Sequence, residues 1–346
     1  MRALLVVNPA ATTTSARTRE VLASALEAEL KLELVHTQHR GHATELAAAA
    51  RSDELDLVVV LGGDGTVNEV VNGLLADGPH DGVPALAVVP GGGTNVFHRA
   101  LGLPRDPIEA TAVLLDALRE RRLRSIGLGR VELGPLSHED APGDGVDPVA
   151  DQQDPAEPAR QDSGQRWFTF NAGMGWDAEV VARVDERRRA RSTSRHTRPA
   201  DYFRAAAEQF FLHSDRRHPA LTMQRPGAEP VTGLHLAIVA NTEPWTFLGD
   251  RPLRTSPEAS FDAGLDLYAL TRLRTLGTLG EVRRLLSGRP TPVRRGPRTL
   301  VHREHDLAAL TLTADRSVAT QADGESLGAR RRLDFTAVPD AIRVVV

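Results

Sequence analysis

Short continuous apolar runs alternate with helical periodicity through the first third of the chain. The runs at Ala3 to Val7, Leu55 to Val60 and Ala85 to Val89 predict buried strands. Residues 15–30 and 108–119 instead repeat their apolar positions at helical spacing, which predicts helices between and after the strands. Alternation of this kind predicts an α/β domain with a parallel sheet over residues 1–125.

After Ser125 the pattern changes to a succession of strand-like pieces with few helices between them. We therefore expect a mainly antiparallel second domain over residues 126–346, with its last strand able to pack back on the first domain. One or two helices are expected within residues 177–211. The predicted strands are Ile126 to Leu133, Trp167 to Phe170, Ala220 to Gln224, His235 to Ala240, Leu265 to Leu270, Leu310 to Ala314 and Ala341 to Val346.

Residues 136–165 break this pattern, because they are rich in Asp, Pro, Gly and Gln and almost free of large apolar side chains. Such a segment cannot bury enough surface to offset the entropy of ordering it. We expect a disordered acidic loop here, an enlarged connection between two strands that serves as a solvated tether.

The composition limits the classes of protein to which this chain can belong. The chain has 346 residues, 41% of them hydrophobic and none of them cysteine, so it has room for two domains but no disulfide or thiolate chemistry. No apolar run approaches the ~20 residues of a membrane-spanning helix. We expect a cytoplasmic protein, or one that lies peripherally at the inner face of the membrane.

The charge of the chain limits the kinds of partner that it can bind. The net charge of −4 argues against a surface built for nucleic acid. Lys31 is the one lysine, which excludes a Walker-type lysine, so phosphate charge must be met by backbone amides, arginine and metal. The arginine-rich stretch Arg183 to Arg198, followed by aromatic residues, is either a contact with an anionic membrane surface or a solvated helix face.

The first glycine loop is the strongest chemical signal. Gly62, Gly63 and Gly65 follow a predicted strand, and Thr66 stands at the start of a predicted helix. Glycines let the backbone approach an anion, and the N–H groups of a helix N-terminus favour phosphate. Asp64 within this loop can hold Mg²⁺ or accept a proton, or it can merely cap the helix.

A second glycine loop, Pro90 to Phe97, contains Gly92, Gly93, Thr94 and Asn95 and follows the next predicted strand. In an open parallel sheet such loops converge at the carboxyl edge of the strands, so we expect one shared nucleotide site. Asn8, at the end of the first strand, can contact the nucleotide or simply close a turn.

A third candidate is the sequence Asp323-Gly324-Glu325 near the end of the chain. A glycine between two acids is often only a hairpin turn. Phosphoryl transfer to a hydroxyl, however, needs a metal-binding carboxylate and a proton acceptor, and two domains can supply these from opposite sides.

Together, these motifs resemble the diacylglycerol kinase catalytic-domain family, and in particular its bacterial soluble lipid kinases, relatives of sphingosine and ceramide kinases. The first loop alone is shared with NAD kinases and, more loosely, with phosphofructokinases. The motifs that carry the resemblance, in chain order, are Asn8-Pro9, Gly62 to Asn68, Pro90 to Gly102, Asn171 to Ala178 and Asp323 to Glu325.

The resemblance implies an α/β nucleotide-binding domain, a β-sandwich second domain and an ATP and Mg²⁺ site in a cleft between them. It implies Asp64 and Glu325 as the catalytic acid–base pair, with Asp64 also at the active-site Mg²⁺; which of the two accepts the proton stays open. It also allows a homodimer. The residues expected around ATP are Asn8, Thr37, Gly62, Gly63, Asp64, Gly65, Thr66, Gly92, Gly93, Thr94 and Asn95.

A structural Mg²⁺ position in the second domain is a further implication. The family places two adjacent acids there, and this chain has Ala263 after Asp262, with Asp266 nearby. Asp262 and Asp266 are the candidate ligands, and the loss of the second acid weakens the site.

The function that follows is an ATP- and Mg²⁺-dependent phosphotransferase that converts the membrane lipid diacylglycerol to phosphatidic acid. Another lipid alcohol is the first alternative: a sphingoid base, ceramide, a polyprenol or a glycolipid. NAD kinase and a non-catalytic nucleotide-binding protein are further alternatives. An apolar slot for acyl chains is expected near Phe168, Trp176, Trp245 and Phe247.

Overall fold

A computed structural model describes residues 1–9, 11, 14–136, 164–176, 178–182, 218–273, 275–287 and 300–346. The arginine-rich stretch Arg183 to Arg198, most of the predicted helical interruption at 177–211, and residues 137–163 of the predicted acidic loop lie outside this set. These three predictions therefore stay predictions. Within the described chain, no helix is both long and apolar enough to cross a membrane.

The described helices are α1 (Ala16–Glu27), α2 (His42–Ser52), α3 (Asp64–Leu74), α4 (Val96–Ala100), α5 (Pro107–Arg119) and α6 (Thr275–Ser287). The strands are β1 (Arg2–Val7), β2 (Lys31–His36), β3 (Leu57–Gly62), β4 (Ala85–Pro90), β5 (Leu123–Leu133), β6 (Gln165–Phe168), β7 (Asn171–Gly175), β8 (Leu221–Gln224), β9 (Val231–Leu234), β10 (Leu236–Ala240), β11 (Thr246–Leu248), β12 (Arg251–Leu253), β13 (Leu265–Leu270), β14 (Val301–Leu307), β15 (Ala309–Ala322) and β16 (Glu325–Val345).

The N-terminal part is a parallel sheet in the order β4-β3-β1-β2, with helices on both faces. Strands β1, β3 and β4 are buried almost throughout, as their continuous apolar runs require of strands covered on both sides. One apolar cluster packs this sheet against α2 and α3, and a second packs it against α1 and α5. The predicted α/β domain is confirmed.

Local sequence explains where the predicted helices begin. The Ser15 side chain accepts a hydrogen bond from the Thr18 N–H at 3.1 Å and so caps α1. The Asp106 side chain caps α5 in the same way, and Pro107 stands at the first helical position, where its missing N–H costs nothing. The helices predicted over 15–30 and 108–119 are confirmed with these starts.

The C-terminal part is mostly antiparallel, in the order β14-β13-β10-β7-β15-β16, with β5, β6, β8 and β9 attached to it. Its core contains Phe168 and Phe335, whose rings meet edge to face with centroids 6.0 Å apart. The predicted strands form, and the last two belong to much longer strands, β15 and β16. The elements that the sequence pattern missed are β2, α2, α4, β7, β9, the β11–β12 hairpin, β14 and α6.

β16 joins the two halves of the sheet because its 21 residues pair with several partners in turn. It runs antiparallel to β15 and β5, and near its end Val344 pairs in parallel with Leu86 of β4. α3 makes a second connection, where the Asn72 side chain accepts from the Trp167 N–H at 2.9 Å and donates to the Trp167 carbonyl at 3.1 Å. The predicted division at residue 125 stays a prediction; it falls within β5.

Two helix glycines give a matched test of packing. A Cβ on Gly73 of α3 would lie 2.3 Å from the Thr44 carbonyl oxygen of α2, whereas a Cβ on Gly280 of α6 would meet nothing within 4 Å. Gly73→Ala should lower the free energy of unfolding by about 2–3 kcal/mol, because α2 must move away from α3. Gly280→Ala should raise it by about 0.5–1 kcal/mol, because alanine favours a helix over glycine.

Urea unfolding of both variants, followed by circular dichroism, measures these changes. Equal effects of the two substitutions would contradict the close approach of α2 and α3.

Candidate active site

The two glycine loops are in direct contact at the carboxyl edge of the parallel strands. The Gly91 N–H donates to the Gly62 carbonyl at 2.8 Å. A Cβ on Gly92 would lie 2.7 Å from the Gly63 Cα, and one on Gly63 would lie 3.2 Å from the Gly92 Cα. Side chains would push the loops apart, so glycine is required where the two backbones meet.

Asp64 is the first residue of α3, in the first loop, and is held by the second loop. Its Oδ1 accepts from the Phe97 N–H at 3.1 Å. Burial raises the pKa of this carboxyl from 3.8 to about 6; the Asp323 charge also raises it, while hydrogen bonds from the Val96 and Phe97 N–H groups and the charge of Arg99 lower it. A carboxyl with this pKa can exchange a proton near neutral pH.

Other predicted nucleotide residues surround the same edge. The Asn8 side chain donates to the Thr66 hydroxyl at 2.9 Å, which links the end of β1 to α3. Thr37 follows β2, and its N–H donates to the Val7 carbonyl at 2.9 Å. Asn95 adopts a left-handed φ of 48°, and its side chain bonds the Gly92 N–H at 2.9 Å and carbonyl at 2.6 Å, so it closes the second loop around Gly93 and Thr94.

Asp323 in the β15–β16 turn is almost fully buried and accepts five hydrogen bonds. Burial raises the pKa of this carboxyl, and these hydrogen bonds oppose the rise. The donors are the Thr169 N–H (2.7 Å) and hydroxyl (2.8 Å), the Asn68 side chain (2.7 Å), the Phe170 N–H (3.0 Å) and the Asn171 N–H (3.2 Å). The carboxylate thus ties the turn to α3 and to the segment between β6 and β7.

Glu325, two residues further on, reaches the start of α3 from the other half of the molecule. A Cβ on Gly65 would lie 2.9 Å from its Oε1. Its Oε2 lies 3.2 Å from an Arg40 nitrogen and 3.8 Å from an Arg166 nitrogen. Asp64 and Glu325 therefore lie at the same helix start, Asp64 within α3 and Glu325 against the next residue.

Glu69, one turn into α3, is an acid that the sequence analysis did not assign. Its Oε2 accepts from the Ala43 N–H at 3.3 Å. Burial raises the pKa of Glu69, and the neighbouring Glu325 charge raises it further, whereas Arg40 lowers it. Glu69 follows Asn68 in the first loop motif, which could have marked both residues; no sequence signal pointed to Arg40 or Arg166.

Arg99 connects the second glycine loop with the β11–β12 hairpin. Its guanidinium carbon lies 3.2 Å from the centroid of the Phe247 ring, and its nitrogens donate to the carbonyls of Gly249 (3.1 Å) and Asp250 (3.4 Å). Burial lowers the pKa of Arg99 to about 10, and the charge of Arg105 lowers it further, while Asp64 opposes the fall. The Arg99 charge thus lies close enough to Asp64 to affect its ionisation.

The two acids proposed for a structural Mg²⁺ have different environments. Asp262 is largely exposed and pairs with Arg124 at 2.6 Å. Asp266 is buried, and its Oδ1 accepts from His305 at 2.8 Å and from the Asp306 N–H at 3.1 Å. Among the described residues, no group of three or more His, Cys, Asp or Glu is arranged to hold a metal ion. The structural-metal assignment stays a prediction.

Sequence comparisons agree with the N-terminal motifs. The sequence model of the diacylglycerol kinase catalytic domain matches residues 2–131. A diacylglycerol kinase of Bacillus subtilis (strain 168) is 47% identical over 91 residues, which are 26% of this chain and 28% of that protein. One from Staphylococcus carnosus (strain TM300) is 38% identical over 97 residues, 28% of this chain and 31% of that protein. The chain thus spans less than a third of the length of these relatives.

Structural comparison extends the similarity to the fold of the whole chain. A diacylglycerol kinase from Bacillus anthracis str. Sterne superposes with a TM-score of 0.65 and 18% identity, covering 99% of this chain and 96% of that one. A second structure from the same organism gives a TM-score of 0.69 at 20% identity, covering 99% and 94%. The chain has the diacylglycerol kinase fold, and the predicted family resemblance is confirmed.

The raised pKa of Asp64 predicts how stability depends on pH in the absence of divalent metal. Since the folded-state pKa of about 6 exceeds the ordinary 3.8, the folded protein binds the proton more tightly, and the free energy of unfolding falls as pH rises through this interval. Asp64→Asn removes this charge, so at pH 8 the variant should be more stable by about 3 kcal/mol. The difference should disappear below about pH 4.

Urea titrations in EDTA between pH 4 and 8 measure this difference. Asp340→Asn is the control, because Asp340 is exposed and asparagine tolerates its left-handed φ of 49°. An Asp64→Asn variant whose stability parallels that of the control at every pH would contradict the raised pKa.

Proposed function

We propose that this protein is an ATP- and Mg²⁺-dependent lipid kinase that transfers the γ-phosphate to the hydroxyl of diacylglycerol and forms phosphatidic acid. One observation carries the proposal: carboxylates from the two halves lie at the glycine-lined start of α3, Asp64 within the helix and Glu325 against Gly65. The match of residues 2–131 to the diacylglycerol kinase catalytic domain supports the same reaction class.

The residues at this edge fit a nucleotide. The loops at Gly63 and Gly92 touch backbone to backbone with no side chain between them, which brings both loops to one place at the edge of the sheet. The N–H groups at the start of α3 are suited to phosphate, and Asn8 and Thr66 add polar side chains beside them. Bound Mg²⁺ would neutralise phosphate charge, with Asp64 as its ligand in this chain.

Asp64 and Glu325 are both candidates for the proton acceptor. The Asp64 Oδ1 is engaged by the Phe97 N–H, and the Asp64 pKa is about 6 without metal; Mg²⁺ bound to the same carboxyl would lower this pKa. Glu325 approaches the same helix start and, ion-paired with Arg40, defines the side from which the second domain contributes.

The acceptor lipid would lie on the second domain. The four aromatic residues predicted to line a slot lie in three environments: Phe168 is in the core, Phe247 stacks with Arg99, and Trp176 and Trp245 pack on one apolar cluster. We assign acyl-chain contact to Trp176 and Trp245, which are partly buried and pack at the edge of a buried apolar cluster. The cluster comprises Leu236, Ile238, Tyr268, Leu270 and Leu273.

Hydrogen bonds support a connection from this cluster to the reacting groups. The Asn171 side chain donates to the Trp245 carbonyl at 3.0 Å, and the Asn171 N–H donates to Asp323 at 3.2 Å. A lipid held against Trp245 would therefore lie on the same framework that positions Glu325.

Phosphate transfer from labelled ATP with Mg²⁺ tests the proposal, with diacylglycerol in mixed micelles, a sphingoid base, a polyprenol, NAD and no acceptor compared side by side. We expect label in phosphatidic acid. Asp64→Asn and Glu325→Gln should each lower kcat at least 100-fold, in the range typical of removing a general acid or base.

Asp340→Asn, at an exposed position of β16, is the matched control and should retain full activity. Label in another lipid would replace diacylglycerol as the acceptor, label in NAD would overturn the lipid-kinase proposal, and full activity of Asp64→Asn would overturn its catalytic assignment.

A further inference from the structure

Arg40, in the connection between β2 and α2, is the cation that lies against the second candidate carboxylate. Its guanidinium nitrogen is 3.2 Å from Glu325 Oε2, while Glu325 Oε1 lies against Gly65. A single carboxylate therefore separates Arg40 from the glycine-lined start of α3. The left-handed Gly41, at φ 85°, turns the chain into α2 immediately after it.

The charges around this point are predominantly negative. Asp64, Glu69 and Glu325 all lie on or against the first two turns of α3, and the Glu325 charge raises the pKa of Glu69 while Arg40 lowers it. A bound polyphosphate would add further negative charge to this place. Because the chain has one lysine, at position 31, the compensating cations must be arginines or metal.

In the described part of the chain, Arg40, Arg99 and Arg166 lie near these acids, and they differ in exposure and in the contacts that hold them. Arg99 is stacked on Phe247 and bonded to the β11–β12 hairpin. Arg166 lies further from Glu325, at 3.8 Å, with a side chain that is 29% exposed. The Arg40 side chain is 43% exposed, so it can swing from a carboxylate to another anion without breaking a packed core.

We propose that Arg40 binds the terminal phosphate of the nucleotide and, by doing so, releases Glu325 from its ion pair. This inference rests on the proposed function. The guanidinium fork binds phosphate oxygens in pairs as it does carboxylates, so the two anions are equivalent partners for Arg40. Glu325 and the terminal phosphate thus compete for one cation, and Glu325 becomes available when ATP is bound.

The competition for Arg40 predicts the direction in which each substitution changes nucleotide affinity. Removing the Arg40 charge lowers the affinity for nucleotides that carry the terminal phosphate and leaves the affinity for AMP unchanged. Removing the Glu325 charge removes one anion that competes with phosphate for Arg40, so ATP binds more tightly, and this gain depends on Arg40 being present. A purely structural ion pair predicts neither the phosphate dependence nor the coupling.

Equilibrium titration calorimetry with ATP, ADP and AMP in the presence of Mg²⁺ measures both effects without relying on turnover. Arg40→Gln should lower the affinity for ATP about tenfold and keep the affinity for AMP within about twofold of the wild-type value, as expected for the loss of one charge-assisted pair. Arg40→Lys should restore part of the loss. Arg119→Gln is the matched control, because it breaks an exposed ion pair with Glu29, 2.6 Å long, on α5.

A double-mutant cycle tests the release of Glu325. Glu325→Gln should tighten ATP binding severalfold in the wild-type background and have no such effect in the Arg40→Gln background. Equal tightening in both backgrounds, or equal losses of ATP and AMP in Arg40→Gln, would overturn the inference.

Measurements on the wild-type protein distinguish failure of this inference from failure of the proposed function. If it transfers phosphate to a lipid but Arg40→Gln binds ATP normally, the inference alone is wrong and the proposed function stands. If wild type binds neither ATP nor ADP, both the proposed function and the role of Arg40 are wrong.

Discussion

One buried carboxylate, that of Asp323, holds the candidate site together. It lies in a left-handed turn between β15 and β16 and accepts five hydrogen bonds from Asn68 and from the segment 169–171. A buried charge is costly unless it is fully hydrogen-bonded, so the donors and the carboxylate require each other. Because Glu325 follows after only Gly324, the same bonds fix where Glu325 meets α3.

The contact between the glycine loops is the complementary constraint on the first half. Gly63 and Gly92 approach so closely that a Cβ on Gly92 would collide with Gly63 and one on Gly63 would press against Gly92, and Asp64 is held by a backbone N–H from the opposite loop. The acid is therefore positioned by two strands at once, β3 through its own loop and β4 through the second. Preorganisation of this kind lets a carboxylate keep its geometry while its proton comes and goes.

Sequence reasoning predicted the parts of the fold that follow from local patterns. Continuous apolar runs identified β1, β3 and β4 because both faces of those strands are buried. β2 was not predicted because it is an edge strand whose residues are exposed or partly exposed. The full length of β16 was not predicted because the strand passes from one half of the sheet to the other and its burial changes along its length. Long-range pairing of this kind leaves no local signature.

The same distinction separates the predicted from the unpredicted site residues. Glycines and Asp64 stand in compact motifs, whereas Arg40 and Arg166 reach Glu325 from positions more than 150 residues away in the chain. The sequence around Arg40 contains no pattern that predicts a carboxylate partner for it.

Arginine is also the physically suitable cation for this neighbourhood. Burial lowers the pKa of Arg99 to about 10, and at that value the side chain still carries its charge at neutral pH. A lysine begins from an ordinary pKa about two or more units below that of arginine, so the same burial would bring it close to neutrality. Arginine therefore keeps its positive charge near the buried acids at the start of α3, and its planar guanidinium group bonds carboxylate and phosphate oxygens in the same paired geometry.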